Sequence, residues 1–381
     1  MRILAVDVGT GTQDILIFDT DLQVENCFKL VMPSPTMVIA RQVKQATRQG
    51  HPLLLTGTTM GGGPSYWAVR DHAAAGYPVF VTPPAARTFD DDLAAVRDAG
   101  LTIISDDEAS GLITTHPDIQ HLVLRDFDYN MIAGACAAFG LTLKLDGIAV
   151  AVFDHGAAPP GVSDRQFRFD YLAERIQANN RLAAFAFDVD AIPPTMTRMA
   201  AVARSARQTG MPDNLPLMLM DTAPAAVLGA TLDPVVGNHA HALISNVGNL
   251  HTLAFRLGPG GVEGLFEHHT GFLDAPKLDG LLRRLAYGTL RHEDVFADQG
   301  HGALVLDEHT FPLDFVAVTG PRRTMMLNSS LPVYFAVPYG DMMLAGCFGL
   351  IRAWADVYTE AATDIRTALH GATQNAPWEL I

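Results

Sequence analysis

Short apolar runs, each closed by a turn rich in glycine, threonine or asparagine, recur along the chain and alternate with helix-spaced segments. The first pair is Ile3-Leu4-Ala5-Val6 and Ile15-Leu16-Ile17-Phe18, joined through Asp7-Val8-Gly9-Thr10-Gly11-Thr12. That pattern predicts a β-hairpin with a carboxylate at the end of its first strand. Further strands are predicted at 53–57, 78–82, 101–104, 147–153 and 217–220, with helices at 65–75, 90–99, 129–139, 171–179 and 199–208. The alternation favours α/β layers. Residues 242–257 then repeat the opening design: strand, a turn at Asn246-Val247-Gly248-Asn249, strand. Two similar hairpins, each heading its own segment, predict two domains of related design. Another strand is expected at 315–319, and Leu344, Cys347, Phe348, Ile351, Ala355 and Tyr358 recur at helical spacing.

Composition narrows the class. The 381 residues suffice for two domains at roughly 100–200 residues each, and 49% hydrophobic content describes a well-packed globular protein. A net charge of −15 with no basic tract argues against nucleic-acid or anionic-membrane partners. No charged-then-apolar leader and no run of membrane-spanning length is evident, so a cytoplasmic location is expected. Cys27, Cys136 and Cys347 lie far apart, without CxxC or CxxxCxxC spacing, so no iron–sulfur cluster is expected within one chain. A cluster shared across a homodimer interface stays open.

The chemistry-bearing residues begin in the first turn. Gly9 and Gly11 let backbone N–H groups approach an anion, and Thr10 and Thr12 add hydroxyl donors. Asp7 would repel a phosphate directly, so its expected task is to hold a cation that the phosphate shares. Asp154 follows a buried strand, where open α/β sheets place functional groups. It reads either as a general base, with His155 as partner, or as an Asx turn closing the strand. Asp126 and Asp128 precede a helix and read as its caps. The glycine-rich turn 56–63 is a second anion cradle or a plain turn, and it lacks the Lys-Ser/Thr end of a P-loop. His239, His241, His251, His268 and His269 concentrate in the second half, beside Glu267. Adjacent strand residues point to opposite faces, so His268 and His269 could share one metal only from a loop. A surface or substrate-contact role is the other reading, and His251 could hydrogen-bond a phosphate or a nucleophilic water.

Five segments fall in the order of the actin/Hsp70/sugar-kinase superfamily, which the chain resembles end to end. Residues Asp7 to Thr12 resemble its first phosphate loop and Asn246 to Thr252 its second. Residues 223–229 resemble the first connecting helix, Val318-Thr319-Gly320-Pro321 the adenosine loop, and residues 340–354 the second connecting helix. Ala225 and Gly229, and likewise Ala345 and Gly349, lie four apart, a spacing that lets helix backbones approach closely. Within the superfamily the chain looks most like an uncharacterised prokaryotic family often labelled pyruvate formate-lyase activating protein. Radical activating enzymes use a CxxxCxxC run, which is missing here.

The resemblance implies an α/β, two-domain actin-like ATPase (ribonuclease H-like) fold with an interdomain cleft. Domain I would comprise 1–222 plus 341–381 and domain II 223–340. It implies ATP with Mg²⁺ in the cleft: Gly9, Thr10, Gly11 and Thr12 on the phosphates, and Asp7 on Mg²⁺ through water. Asn246, Gly248, Asn249 and His251 would approach from the other side, and Gly320 would lie near the adenosine. Asp154 would then be the base for phosphoryl transfer to a small hydroxylated substrate. Two departures point to slow turnover: Asp14 where kinases commonly carry a basic residue, and Asn246 where the second loop usually begins with Asp. The expected activity is a phosphotransferase or slow ATPase. The alternatives are a metal-assisted hydrolase or transferase using the histidines, and a non-enzymatic nucleotide-dependent activator or sensor of a partner protein.

Overall fold

The computed structural model describes residues 1–310, 313–371 and 378. The end of the proposed domain I, 372–377 and 379–381, and residues 311–312 of domain II lie outside the described residues.

The N-terminal hairpin forms as β1 (Arg2–Val8) and β2 (Thr12–Asp19), followed by β3 (Phe28–Pro33). Next come β4 (Leu53–Gly57), β5 (Val79–Val81), β6 (Thr102–Ile103) and β7 (Gln120–Leu124), then β8 (Gly147–Val152), β9 (Ala186–Asp188) and β10 (Leu217–Asp221). The second half supplies β11 (Ala242–Val247), β12 (His251–Gly258), β13 (Gly261–His269), β14 (Gly302–Val305), β15 (Val316–Thr319) and β16 (Val333–Phe335).

These strands make two six-stranded sheets of matching plan. The first has the order β3-β2-β1-β8-β10-β9 and the second β14-β13-β12-β11-β15-β16. In each, an antiparallel meander leads back to its first strand, which then pairs in parallel with a later one: β1 with β8, β11 with β15. Strands β1, β8 and β10 are almost wholly buried, which explains their unbroken apolar runs. Duplicated sheets of this order, facing one cleft, are the α/β two-domain actin-like fold.

One unit was not separated in the sequence reading. Strands β4 to β7 pair only with each other, as a parallel sheet of order β6-β5-β4-β7 with its own apolar core. The helix Pro35–Gln49 packs against it, although the sequence reading named no helix there. Ser34 at its N-cap, Pro35 in its first turn and Gly50 in the left-handed region at its end were the available signals.

Two helices join the halves, Thr222–Ala230 and Ala345–Val357. Their crossing is backbone against backbone. A Cβ on Gly229 would stand 1.7 Å from the Ala345 carbonyl oxygen, and one on Gly349 would stand 1.8 Å from that of Ala225. The expected small-residue spacing is therefore the contact itself. One continuous core runs from the first sheet through both helices to Ile244, Leu253, Phe255 and Leu265 of the second. Among the described residues no helix is long and apolar enough to cross a membrane.

Candidate functional site

The two hairpin turns face each other across a cavity of about 340 Å³. They close in the same way: Gly9 N–H donates to the Thr12 carbonyl at 2.9 Å, and Gly248 N–H to the His251 carbonyl at 3.0 Å. They also touch, since a Cβ on Gly11 would stand 2.8 Å from Asn249 Nδ2. Gly9 to Thr12, Asn246, Gly248, Asn249, His251 and Gly320 all line the cavity, so the structure brings these residues together. Gly320 packs its backbone against Asn246 and Val247, with φ +97°. The turn 61–63 forms a third wall, reaching Leu250 and Thr10.

Asp7 and Asp14 stand directly opposite on β1 and β2. Both are buried, and Asp14 Oδ1 has no hydrogen-bond partner. Burial pushes the Asp7 carboxyl up to about 7, although the Thr222 hydroxyl, donating at 2.5 Å, acts against it. Asp14 is pushed up to about 8, again chiefly by burial and then by the neighbouring Asp7. Two carboxylates that resist ionising side by side suit a cation that neutralises both. Asp14 thus joins Asp7, a partnership that cross-strand register, and not spacing from Asp7, reveals.

Asp154 also lines the cavity, and its carboxylate is engaged by backbone. Its oxygens accept N–H groups from Gly156 and Met199, both at 2.9 Å, and it is 1% exposed. It closes the end of β8 and caps the helix Thr197–Gln208, so the Asx-turn reading describes it. Asp128 does cap the helix Tyr129–Ala138, through Met131 N–H at 2.9 Å. Asp126 does not: it accepts from Gly61 N–H and forms a two-pronged pair with Arg198. Arg198 also donates to the Phe153 carbonyl at 2.6 Å and lines the cavity. The sequence reading missed Arg198; a cation near the start of a helix after a candidate site strand was the only hint.

The paired histidines also separate. His268 and His269 lie on β13, not on a loop, and so face opposite ways. His268 is fully buried and contacts Asp298 through Nε2 at 3.2 Å. Joint ligation of one ion by His268 and His269 is therefore corrected. His269 instead lies opposite His251 in the β12–β13 ladder, and His301 completes a group whose ligand nitrogens fall within 4.8 Å of one another. Burial drives His251 well below the ordinary imidazole range and His301 down to about 2, and the other imidazoles add to both effects. His251 stacks on Phe153, ring centroids 4.1 Å apart. Behind Phe153 lies Arg168, fully buried, which pairs with Asp221 and, at 3.0 Å, with Glu267 on β13. This ion group ties the two sheets together, and breaking it by removing one partner would leave a buried charge uncompensated.

Among solved structures, the chain is similar to the ethanolamine utilization protein EutJ from Carboxydothermus hydrogenoformans, at 11% identity over 92% of this chain and 89% of that one, TM-score 0.30. It is also similar to a ROK hexokinase from Thermus thermophilus, at 14% identity over 95% and 100%, TM-score 0.29. A carbohydrate kinase from Novosphingobium aromaticivorans follows at 11% over 92% and 90%, TM-score 0.24. No curated protein matches. A family model matches residues 60–325, more than half of the chain and including the 61–63 turn, the second hairpin and the Gly320 loop. The chain therefore belongs to the family described as "Putative pyruvate format-lyase activating enzyme (DUF1786)".

Proposed function

We propose that the cleft binds a magnesium–nucleoside triphosphate and that the protein is a phosphotransferase or slow ATPase acting on a small substrate. The supporting observation is the pair of matching turns opened toward one cavity beside the buried Asp7–Asp14 pair. The N–H groups of Thr10, Gly11, Asn249 and Leu250 have no partner among the described residues and suit phosphate oxygens. Asp7 and Asp14 would hold Mg²⁺, whose hard charge suits carboxylate and phosphate oxygen together. The ion would neutralise phosphate charge during transfer, while the chain's own task is to position and to exclude water.

Asp154 lines the cleft, but its two backbone N–H bonds give it a structural task at the end of its strand, so no base is assigned to it. With Asn246 in place of a second acid, slow turnover is the expectation. Isothermal titration with ATP and Mg²⁺ tests the reading. Binding that needs Mg²⁺ and weakens in Asp7→Asn supports it, and no heat at millimolar ATP overturns it. Tight binding without turnover would move the protein from catalyst to nucleotide-dependent sensor.

A further inference from the structure

We propose that His251, His269 and His301 form a three-nitrogen site for a zinc-class divalent transition metal at the junction of the two sheets. This site is separate from the Asp7–Asp14 pair and does not depend on nucleotide binding.

Three observations converge on it. The first is placement. Cross-strand register sets His251 opposite His269, and His301 N–H donates to the Glu267 carbonyl at 2.9 Å just before β14 begins. The rings are splayed and not stacked, with centroids 4.6 to 5.1 Å apart and planes at 41° to 66°. The ligand nitrogens of the three rings lie within 4.8 Å of one another.

The second is an orphan. His301 is 3% exposed, yet its Nδ1 has no hydrogen-bond partner. A buried ring nitrogen left unpaired costs about 1–3 kcal/mol. A metal ion bound through Nδ1 would remove that cost.

The third is outer-shell support. His269 Nδ1 lies 2.7 Å from the Gln299 carbonyl, so Nδ1 carries the proton and Nε2 keeps its lone pair for a ligand. Gln299 holds φ +67°, a backbone state uncommon for a residue with a side chain, at the position that aims this carbonyl. On the same face of β13, two residues before His269, Glu267 brings its carboxylate to the Arg168–Asp221 group.

The donor set chooses the ion. Three imidazoles without a carboxylate suit zinc, cobalt, nickel or copper and not magnesium or calcium. A tetrahedral zinc at about 2.0–2.1 Å from each nitrogen needs them about 3.3 Å apart. The nitrogens lie within 4.8 Å of one another, so binding must draw the half-buried His269 and His251 rings inward. Three protein ligands leave a fourth position, and His251 lines the cleft, so that position is open to water or to an oxygen of a cleft ligand.

The test is cobalt(II) titration of chelator-treated, nucleotide-free protein, read by visible absorption. Asp14→Asn serves as the background, so that an oxygen-ligated ion at the carboxylate pair does not intrude. Intense bands of a tetrahedral ion, saturating at one equivalent and displaced by zinc, are expected. His269→Gln, at a half-buried position, should weaken cobalt binding at least about 100-fold, while the exposed His309→Ala leaves it unchanged. If His301→Ala fails to fold, His269→Gln with an unchanged circular dichroism spectrum still decides. Absence of the bands in the parent protein, or their survival in His269→Gln, overturns the proposal. Failure of ATP binding in the separate titration would leave this result standing.

Discussion

The two cleft turns share one backbone design and carry opposite chemistry. Each places a glycine N–H on a carbonyl three residues on, Gly9 on Thr12 and Gly248 on His251. Asp7 on the first jaw corresponds to Asn246 on the second, and Thr12 corresponds to His251. The first jaw sets two buried carboxylates side by side, Asp7 and Asp14. The second has an amide where the acid would be and gathers imidazole nitrogens beside its turn. A duplicated frame thus fixes where groups meet, while the side chains at matching positions decide what they hold.

The largest effect should come from separating the jaws. Gly229→Ala forces a methyl into the Ala345 carbonyl across the helix crossing. Overpacking there should cost about 3 kcal/mol, read as a lower urea midpoint, and should weaken both ATP and cobalt binding. A loss under about 0.5 kcal/mol would show that the crossing is not tight.

The next test exchanges the jaws' roles. Asp7→Asn should weaken Mg²⁺-dependent ATP binding by about tenfold or more, near 1.4 kcal/mol, and leave the tetrahedral cobalt bands. His269→Gln should do the reverse. If either variant removes both signals, the two sites are one.

A third test uses pH. The folded-state values of Asp7 and Asp14 lie above their ordinary value of 3.8, at about 7 and about 8. Their contribution is therefore fully present below about pH 4 and lost as pH rises through 7 to 8. Without divalent ions, this pair should make the protein less stable at pH 8.5 than at pH 6, and Mg²⁺ should restore the stability lost at pH 8.5. Asp14→Asn should flatten that slope by several degrees of Tm. An unchanged slope would mean that the pair does not share a strained charge.

The smallest effect is expected from Asn246→Asp. It makes the second jaw resemble the first and should raise Mg²⁺-ATP turnover severalfold with little change in affinity. Steady-state phosphate release checks this, and a fall in rate would argue that the amide is there by requirement.

Much of this frame was legible in the sequence because its signals are local. The hairpins announce themselves by apolar alternation around Gly9 and Gly248, and the crossing by Ala225, Gly229, Ala345 and Gly349. The separate β4–β7 sheet was not, because its strands read individually but their pairing partners are set by non-local contacts. Strand alternation did warn that His268 and His269 diverge. Pairing His269 with His251 requires the β12–β13 register, and His301 and Arg168 join the group only through tertiary packing. Asp154 stayed open in the sequence because a strand-end acid looks the same whether it caps a helix or takes a proton.

Asp7 has one further neighbour of consequence. A side chain on Gly346, at the start of the second crossing helix, would strike the Asp7 carboxylate at 1.9 Å, and the Thr222 hydroxyl that binds Asp7 starts the first. One carboxylate therefore rests on both halves of the hinge. Any rotation of either helix would alter its surroundings, so this one side chain stands where a change at the crossing would be felt in the cleft.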